Sequence, residues 1–344
     1  MEFILYSMIC LITLAILKFY FNRRPITKLK KRMDGKTIIV TGSNSGLGKK
    51  TALQLLEDGA DVIFASCDKR ETIQIFKKIP KELKSHAHFL RLDLCSFKII
   101  DKFINKFSKF FNKLDILIIN SEKFPEDFKL TVDALERILQ NNHLGPMYLT
   151  TQLLKYFDKN EGRIINVSNI FHDFSDLSEK NICDAYYDTY FENIKQLYYQ
   201  GLKSRFVHYC NSKQANLFFT SYLAEQLELC GFKNIKICSV IPGIVCPKIS
   251  KYYIDNHPLI AILIVILLPI VCVIVKNPEA DAQTLLHLIY IDFVEFVNGG
   301  NYSYCNLINT TKTENNSELR NSYINYSLYL INVIARREIN ISIK

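Results

Sequence analysis

Lys36–Gly59 reads KTIIVTGSNSGLGKKTALQLLEDG, and its reading decides the fold. Ile38, Ile39 and Val40 form a short β-branched run of the kind that fills a buried parallel strand. A glycine-rich turn, Thr41–Gly48, follows, and then a helical pattern with Leu53, Leu55 and Leu56 apolar. Gly42 permits a tight turn. Gly46 and Gly48 let backbone approach a pyrophosphate at a helix N-terminus, where N–H groups and the positive dipole end favour anionic charge. The spacing is G-x3-G-x-G, not the G-x-G-x-x-G of the usual dinucleotide fingerprint. Glycines this dense also occur in plain loops, but a strand before and a helix after favour the phosphate cradle.

Working outward, Asp61–Ser66 (DVIFAS), Ala87–Asp93 (AHFLRLD), Leu114–Asn120 (LDILIIN), Gly162–Ser168 (GRIINVS) and Lys233–Ile241 (KNIKICSVI) read as further strands. Lys69–Lys84, Phe97–Asn112, Thr131–Phe157, Tyr209–Cys230 and Pro278–Val297 read as helical between or after them. This alternation predicts an α/β fold, a Rossmann-type doubly wound parallel sheet in a single domain. Two stretches break the rhythm. Asn169–His208 is about forty residues long, too long for a structureless connection, and reads as a substrate-side insertion. Leu259–Val275 holds 17 apolar residues including Pro269. Spanning a bilayer would strand the following helix on the far side, so it reads as a segment that dips into the membrane or lines a substrate pocket. A two-pass topology is the competing reading. The Asn- and Ser-rich tail, Asn309–Lys344, carries no assignable role.

The 344 residues are 49% hydrophobic and 22% charged, which excludes a disordered chain. The net charge of +9 suggests nucleic acid until its distribution is read. Arg23, Arg24, Lys28, Lys30, Lys31, Arg32 and Lys36 cluster against one acid, Asp34, directly after the apolar run Phe3–Phe21. As a helix that run measures about 28 Å, close to the hydrocarbon thickness of a bilayer. Basic residues follow it rather than precede it, which argues for a signal anchor, not a cleaved peptide. The expected layout is therefore a membrane anchor at 1–22, a basic flank at 23–35, a domain at 36–305 containing the 169–208 insertion and the 257–276 apolar segment, and a tail at 306–344. The ten cysteines contain no C-x-x-C, so zinc spacing is absent and a reduced, cytosol-facing domain is expected, with no metal and no nucleic-acid partner.

Tyr209–Cys210–Asn211–Ser212–Lys213 carries the chemistry. Residues four apart share one helix face, and an ammonium there favours the phenolate of a tyrosine. Tyr209 is thereby a candidate acid/base for the proton of an alcohol whose carbon loses hydride, with Lys213 supporting it. Tyr199 and Lys203 show the same spacing. Tyr209 is preferred because an amphipathic helix, a strand and the Pro242–Gly243 turn follow it.

These stretches together resemble the short-chain dehydrogenases/reductases, and within them the microsomal retinol dehydrogenase group. The matching motifs are TGSNSGLG at Thr41–Gly48, LDL at Leu92–Leu94, LDILIIN, NHLG at Asn142–Gly145, GRIINVS, YCNSKQAN at Tyr209–Asn216, PGIV at Pro242–Val245 and NPEADAQT at Asn277–Thr284. The resemblance implies that the turn Gly42, Ser43, Asn44, Ser45, Gly46, Leu47 and Gly48 cradles the cofactor. It places Asp93 at the adenine, Asn120 beside the cofactor and Lys213 on the nicotinamide ribose, with Leu94, Pro242, Gly243 and Val245 also among the cofactor-binding residues. Asn142 would hold the water that links Lys213 to solvent.

The chain departs from that pattern at four places. Asn169 stands where the family's substrate-orienting serine is expected, and Ile119–Asn120–Ser121–Glu122 replaces N-N-A-G. Ala65–Ser66–Cys67 replaces Ala-Cys-Arg, whose arginine meets the NADP phosphate, and Pro247 replaces a threonine. The resulting expectation is a membrane-anchored oxidoreductase in the endoplasmic reticulum, facing the cytosol. Its substrate would be a small lipophilic alcohol or carbonyl, retinoid-like by resemblance, and its cofactor NADP(H) slightly ahead of NAD(H), because Lys49, Lys69 and Arg70 lie near the phosphate position. The alternative is a catalytically impaired relative acting as a nucleotide-binding or scaffolding protein. The sequence sets no oligomeric state.

Overall fold

The computed structural model describes residues 27, 29–124, 128–158, 160–177, 202–242, 278–309 and 316–335. Strand β1 (Thr37–Thr41) is wholly buried because it pairs on both sides. It runs parallel to β2 (Asp61–Ser66) through Ile38↔Val62 and Val40↔Phe64, and parallel to β4 (Ile116–Ile119) through Ile39↔Leu117. With β3 (Ala87–Arg91), β5 (Gly162–Val167), β6 (Ile235–Val240), β7 (Asn301–Ser303) and β8 (Asn306–Ile308), the described residues form one sheet in the order β3-β2-β1-β4-β5-β6-β7-β8. All pairings are parallel except the terminal β7–β8 hairpin. The order reverses between β1 and β4, and there the carboxyl ends of the strands leave a crevice.

Alternation along the strands feeds two cores. Ile38, Val40, Val62, Phe64, Ile116 and Ile118 face helices α1 (Gly46–Glu57) and α2 (Lys69–Lys78), together with a later helix, Pro278–Tyr290. Ile39, Ile63, Leu117 and Ile164 face α3 (Phe97–Phe110), α4 (Gly145–Leu153), α5 (Leu202–Leu229) and the C-terminal helix Ser317–Ala335. The two later helices are α6 (Pro278–Tyr290) and α7 (Ser317–Ala335). Each fully buried leucine or isoleucine contributes about 1.5–3 kcal/mol, so these faces hold the sheet together.

The expected α/β fold and parallel sheet are present. Several features differ from the sequence reading. Helix α5 begins at Leu202, seven residues ahead of Tyr209, so the connection after β5 is shorter than expected and the tyrosine sits two turns inside a helix. Pro80 ends the second helical stretch at Lys78, and a 3-10 turn, Lys81–His86, replaces its remainder. The tail contributes α7, whose Leu319, Tyr323, Ile324 and Ile331 are buried in the core against α5. The expected anchor and the apolar segment 257–276 lie outside the described residues, among which no helix is long and apolar enough to cross a membrane.

Candidate active site

The glycine turn closes onto the end of β4. The Asn120 and Ser121 N–H groups both donate to Thr41 Oγ1, at 2.8 and 3.0 Å, and Asn120 Nδ2 donates to Thr41 O at 3.1 Å. Gly48 has no room for a side chain, since a Cβ there would lie 2.4 Å from Asn120 Nδ2 and 2.7 Å from Gly42 O. Gly46 has φ of +54° and faces open space. Helix α1 starts there with no acidic residue in its first turn, and Ser43 Oγ is buried in the turn with no hydrogen-bond partner. A buried hydroxyl in search of a partner, beside a helix N-terminus, fits an anionic diphosphate. Leu47 is buried under the turn, and Asn44 and Ser45 are partly exposed at its rim.

At the end expected to take the adenine, Asp93 Oδ1 accepts from the Cys95 N–H at 3.0 Å, and Leu94 is buried. The end of β2 is occupied locally: Ser66 Oγ bonds Thr72 Oγ1 at 2.8 Å, and Asp68 caps α2 by accepting from the Glu71 N–H at 3.0 Å. Glu71 Oε2 in turn accepts from Asn44 Nδ2 at 2.6 Å. The sequence reading did not weigh this carboxylate, which reaches the glycine turn from the first turn of α2.

At the other end of the crevice, Tyr209 is fully buried on α5, and Lys213 Nζ lies 5.5 Å from the centre of its ring. Tyr209 Oη donates to Glu122 Oε2 at 3.1 Å, and Lys213 Nζ is 2.8 Å from the same oxygen. The helix is oriented by neighbours of the pair. His208 meets the buried Glu136 at 2.9 Å. Burial raises the Glu136 carboxyl, but the His208 charge and hydrogen bond, with the Ile138 and Leu139 N–H groups, outweigh it and hold it below the usual range. Burial pushes the Cys210 thiol up to about 12, which disfavours its thiolate.

Asn142 is brought to the pair through Ser212. Its Nδ2 donates to Ser212 Oγ at 3.1 Å and to Lys123 O at 2.9 Å. Its Oδ1 accepts from Lys123 N at 2.7 Å and Asn141 Nδ2 at 3.0 Å. The amide is thus fully engaged. Asn142 sits in a π-helical stretch, Gln140–Leu144, of the kind that often marks functional positions. The next residue, His143, is buried, bonds Ser327 Oγ of α7 at 2.8 Å, and is pushed down to about 3 by burial.

Asn169 is buried at the end of β5, with Oδ1 accepting from the Phe171 N–H at 3.2 Å to cap the short turn Ile170–Phe174. The preceding Ser168 cannot stand in for a serine at that position, because its Oγ donates to Lys213 O at 2.9 Å. Pro242 is buried; Gly243, Val245, Pro247 and Tyr199 lie outside the described residues. Aromatic rings missed by the sequence reading wall the tyrosine. Phe124 and Phe171 lie 4.5 and 6.4 Å from Tyr209, and Phe171 is 5.2 Å from Phe206. Phe174, 61% exposed, extends that wall outward, 6.1 Å from Phe206.

The family model of the short chain dehydrogenases matches residues 36–173. Retinol dehydrogenase 11 of Mus musculus is 30% identical over 280 residues, covering 80% of this chain and 80% of its own. The WW domain-containing oxidoreductase of Drosophila melanogaster is 30% identical over 227 residues, 65% of this chain, which spans 52% of that relative's length. A crystal structure of an uncharacterised protein from Mycobacterium paratuberculosis superposes with a TM-score of 0.66 at 21% identity, over 92% of this chain and 98% of the other, and shows the same fold. With its glycine turn, sheet order and buried tyrosine–lysine pair, the chain belongs to the short-chain dehydrogenase/reductase family of oxidoreductases and is similar to its retinol dehydrogenases.

Proposed function

We propose that this protein is a membrane-anchored oxidoreductase that moves hydride between NADP(H) and a lipophilic alcohol or carbonyl compound, retinol or retinal being the substrate class suggested by similarity. The observation that carries the reading is the Tyr209–Lys213 pair, buried side by side on α5 at the crevice and walled by aromatic rings. The nicotinamide, when bound, supplies or accepts the hydride. Tyr209 Oη gives the reacting oxygen its proton in reduction and takes it in oxidation, a role worth about 10²–10⁴ in rate. Lys213 holds the ribose, and the Asn169 amide N–H2 donates to the substrate oxygen in place of a serine hydroxyl. With the Asn142 amide engaged, a relay water there rests on main-chain atoms of the π stretch. Phe124, Phe171, Phe174 and Phe206 offer a lipophilic substrate an apolar wall.

NADP(H) is proposed over NAD(H) because Lys49 directly after the glycine turn, and Lys69 and Arg70 at the start of α2, offer positive charge near the expected ribose phosphate. The Glu71 carboxylate against Asn44 opposes them and keeps the preference small. The apolar run Phe3–Phe21 followed by basic residues supports an anchor in the endoplasmic reticulum with the domain facing the cytosol. Protease added to intact microsomes should digest the domain, and full protection would overturn that topology.

A second reading, a nucleotide-binding relative with little catalysis, is favoured by two observations. Asn169 replaces the expected serine, and Glu122 sits on the Tyr209–Lys213 pair. Detergent-solubilised full-length protein separates the two. Retinal reduction with NADPH that is abolished by Tyr209→Phe supports the enzyme; dinucleotide binding without turnover of any lipophilic aldehyde supports the alternative.

A further inference from the structure

Glu122 stands where the family pattern has a glycine, and its backbone is pinned from both sides. The Ser121 N–H donates to Thr41 Oγ1 at 3.0 Å, and Lys123 is clamped by Asn142 through bonds of 2.7 and 2.9 Å. From that fixed position one carboxylate oxygen meets both groups of the acid/base pair, Tyr209 Oη at 3.1 Å and Lys213 Nζ at 2.8 Å. The lysine side chain is 1% exposed and the glutamate 48%. A buried ammonium is costly without a counter-ion, so the lysine depends on this contact. The glutamate, half in water, depends on it far less.

We propose that Glu122 is a positioning residue: it holds Lys213 and Tyr209 in place before the dinucleotide arrives and yields Lys213 to the ribose hydroxyls when it binds. The proposal rests on the reading of Tyr209 and Lys213 as the acid/base pair. Removing the carboxylate then acts in opposite directions on the two states. The free protein loses the counter-ion of a buried lysine and is destabilised. The cofactor no longer competes for that lysine and binds more tightly.

The test uses full-length protein in detergent, with wild type, Glu122→Gln and Glu122→Gly compared. Three quantities are read: melting temperature without ligand, NADPH affinity by fluorescence titration, and KM for NADPH against kcat. Both variants should melt a few degrees lower without ligand. Both should bind NADPH about tenfold more tightly, with KM falling more than kcat changes. A side chain with a merely structural role would weaken fold and binding together. Unchanged or weaker binding by Glu122→Gln, which keeps size and hydrogen-bonding capacity, overturns the proposal while leaving the enzyme reading intact. If neither wild type nor variant binds any nicotinamide dinucleotide, the enzyme reading itself fails and takes the proposal with it.

Discussion

The two ends of the β1–β4 crevice are held by different kinds of contact. The glycine turn is built from backbone, glycines and a helix N-terminus, with Thr41 and Asn120 binding it to the sheet. At the tyrosine end, side chains from three separate segments meet, with Tyr209, Ser212 and Lys213 from α5, Glu122 after β4 and Asn142 from the π stretch, while Asn169 after β5 caps the turn that carries Phe171 toward Tyr209. Two of the chain's departures from the family pattern, Glu122 and Asn169, fall at the tyrosine end, and a third, Ala65–Ser66–Cys67, falls at the end of β2. Gly48 leaves no room for a Cβ and Gly42 and Gly46 take positive φ, so the glycine turn retains its pattern. The tyrosine end depends on side chains and can change one group at a time while the fold persists.

The contrast can be broken most sharply at Tyr209. Tyr209→Phe should lower kcat by about a thousandfold with NADPH affinity within about threefold of wild type, checked by retinal reduction and fluorescence titration. A large loss of binding would show that the two ends are not separable. Asn169→Ser should raise kcat by ten- to about a hundredfold, since a misplaced donor can cost that much. A fall in rate would mean that asparagine is adapted to this site.

Gly48→Ala probes the opposite end. Its Cβ would drive into Asn120 and the Gly42 carbonyl, so a cost of about 1–3 kcal/mol in stability and clearly weaker NADPH binding are expected. Normal binding would argue against a backbone cradle. His143 sharpens the account of what supports the π stretch. Its folded-state value of about 3 lies below the unfolded 6.5, so its contribution is complete above pH 6.5 and is lost as pH falls. Between pH 7.5 and 5 that loss is about 2 kcal/mol, and His143→Gln should remove it from the denaturant-derived stability profile. The smallest effect is at Glu71: Glu71→Gln should raise the NADPH-over-NADH preference by less than about tenfold, because the residue is solvent-exposed.

Much of this was legible in the chain. Strands β1 to β6 are apolar runs flanked by turns, and the ordered motifs located Gly48, Asn120, Tyr209 and Lys213. The short hairpin Asn301–Ser303 and Asn306–Ile308 has too few apolar residues to leave a pattern. Helix α7 hides behind Asn and Ser, although Tyr323, Ile324 and Ile331 fill the core. The early start of α5 is masked by Lys203, Ser204 and Arg205, which give the turn before Phe206 no apolar stripe. Glu122 was visible as a missing glycine, but its contact with Lys213 spans 91 positions and exists only once β4 and α5 are folded together. The Phe124–Tyr209 contact was hidden for the same reason.

The central claim is that an intact dinucleotide cradle serves an altered but working acid/base site. Stopped-flow mixing of the solubilised, NADPH-loaded protein with all-trans-retinal tests it most directly, with Tyr209→Phe as the blank. The account predicts a dinucleotide-binding signal in both proteins and a slow, single-exponential loss of NADPH absorbance in wild type alone. NADPH oxidation at the same rate in both proteins, or no NADPH binding by wild type, would contradict it.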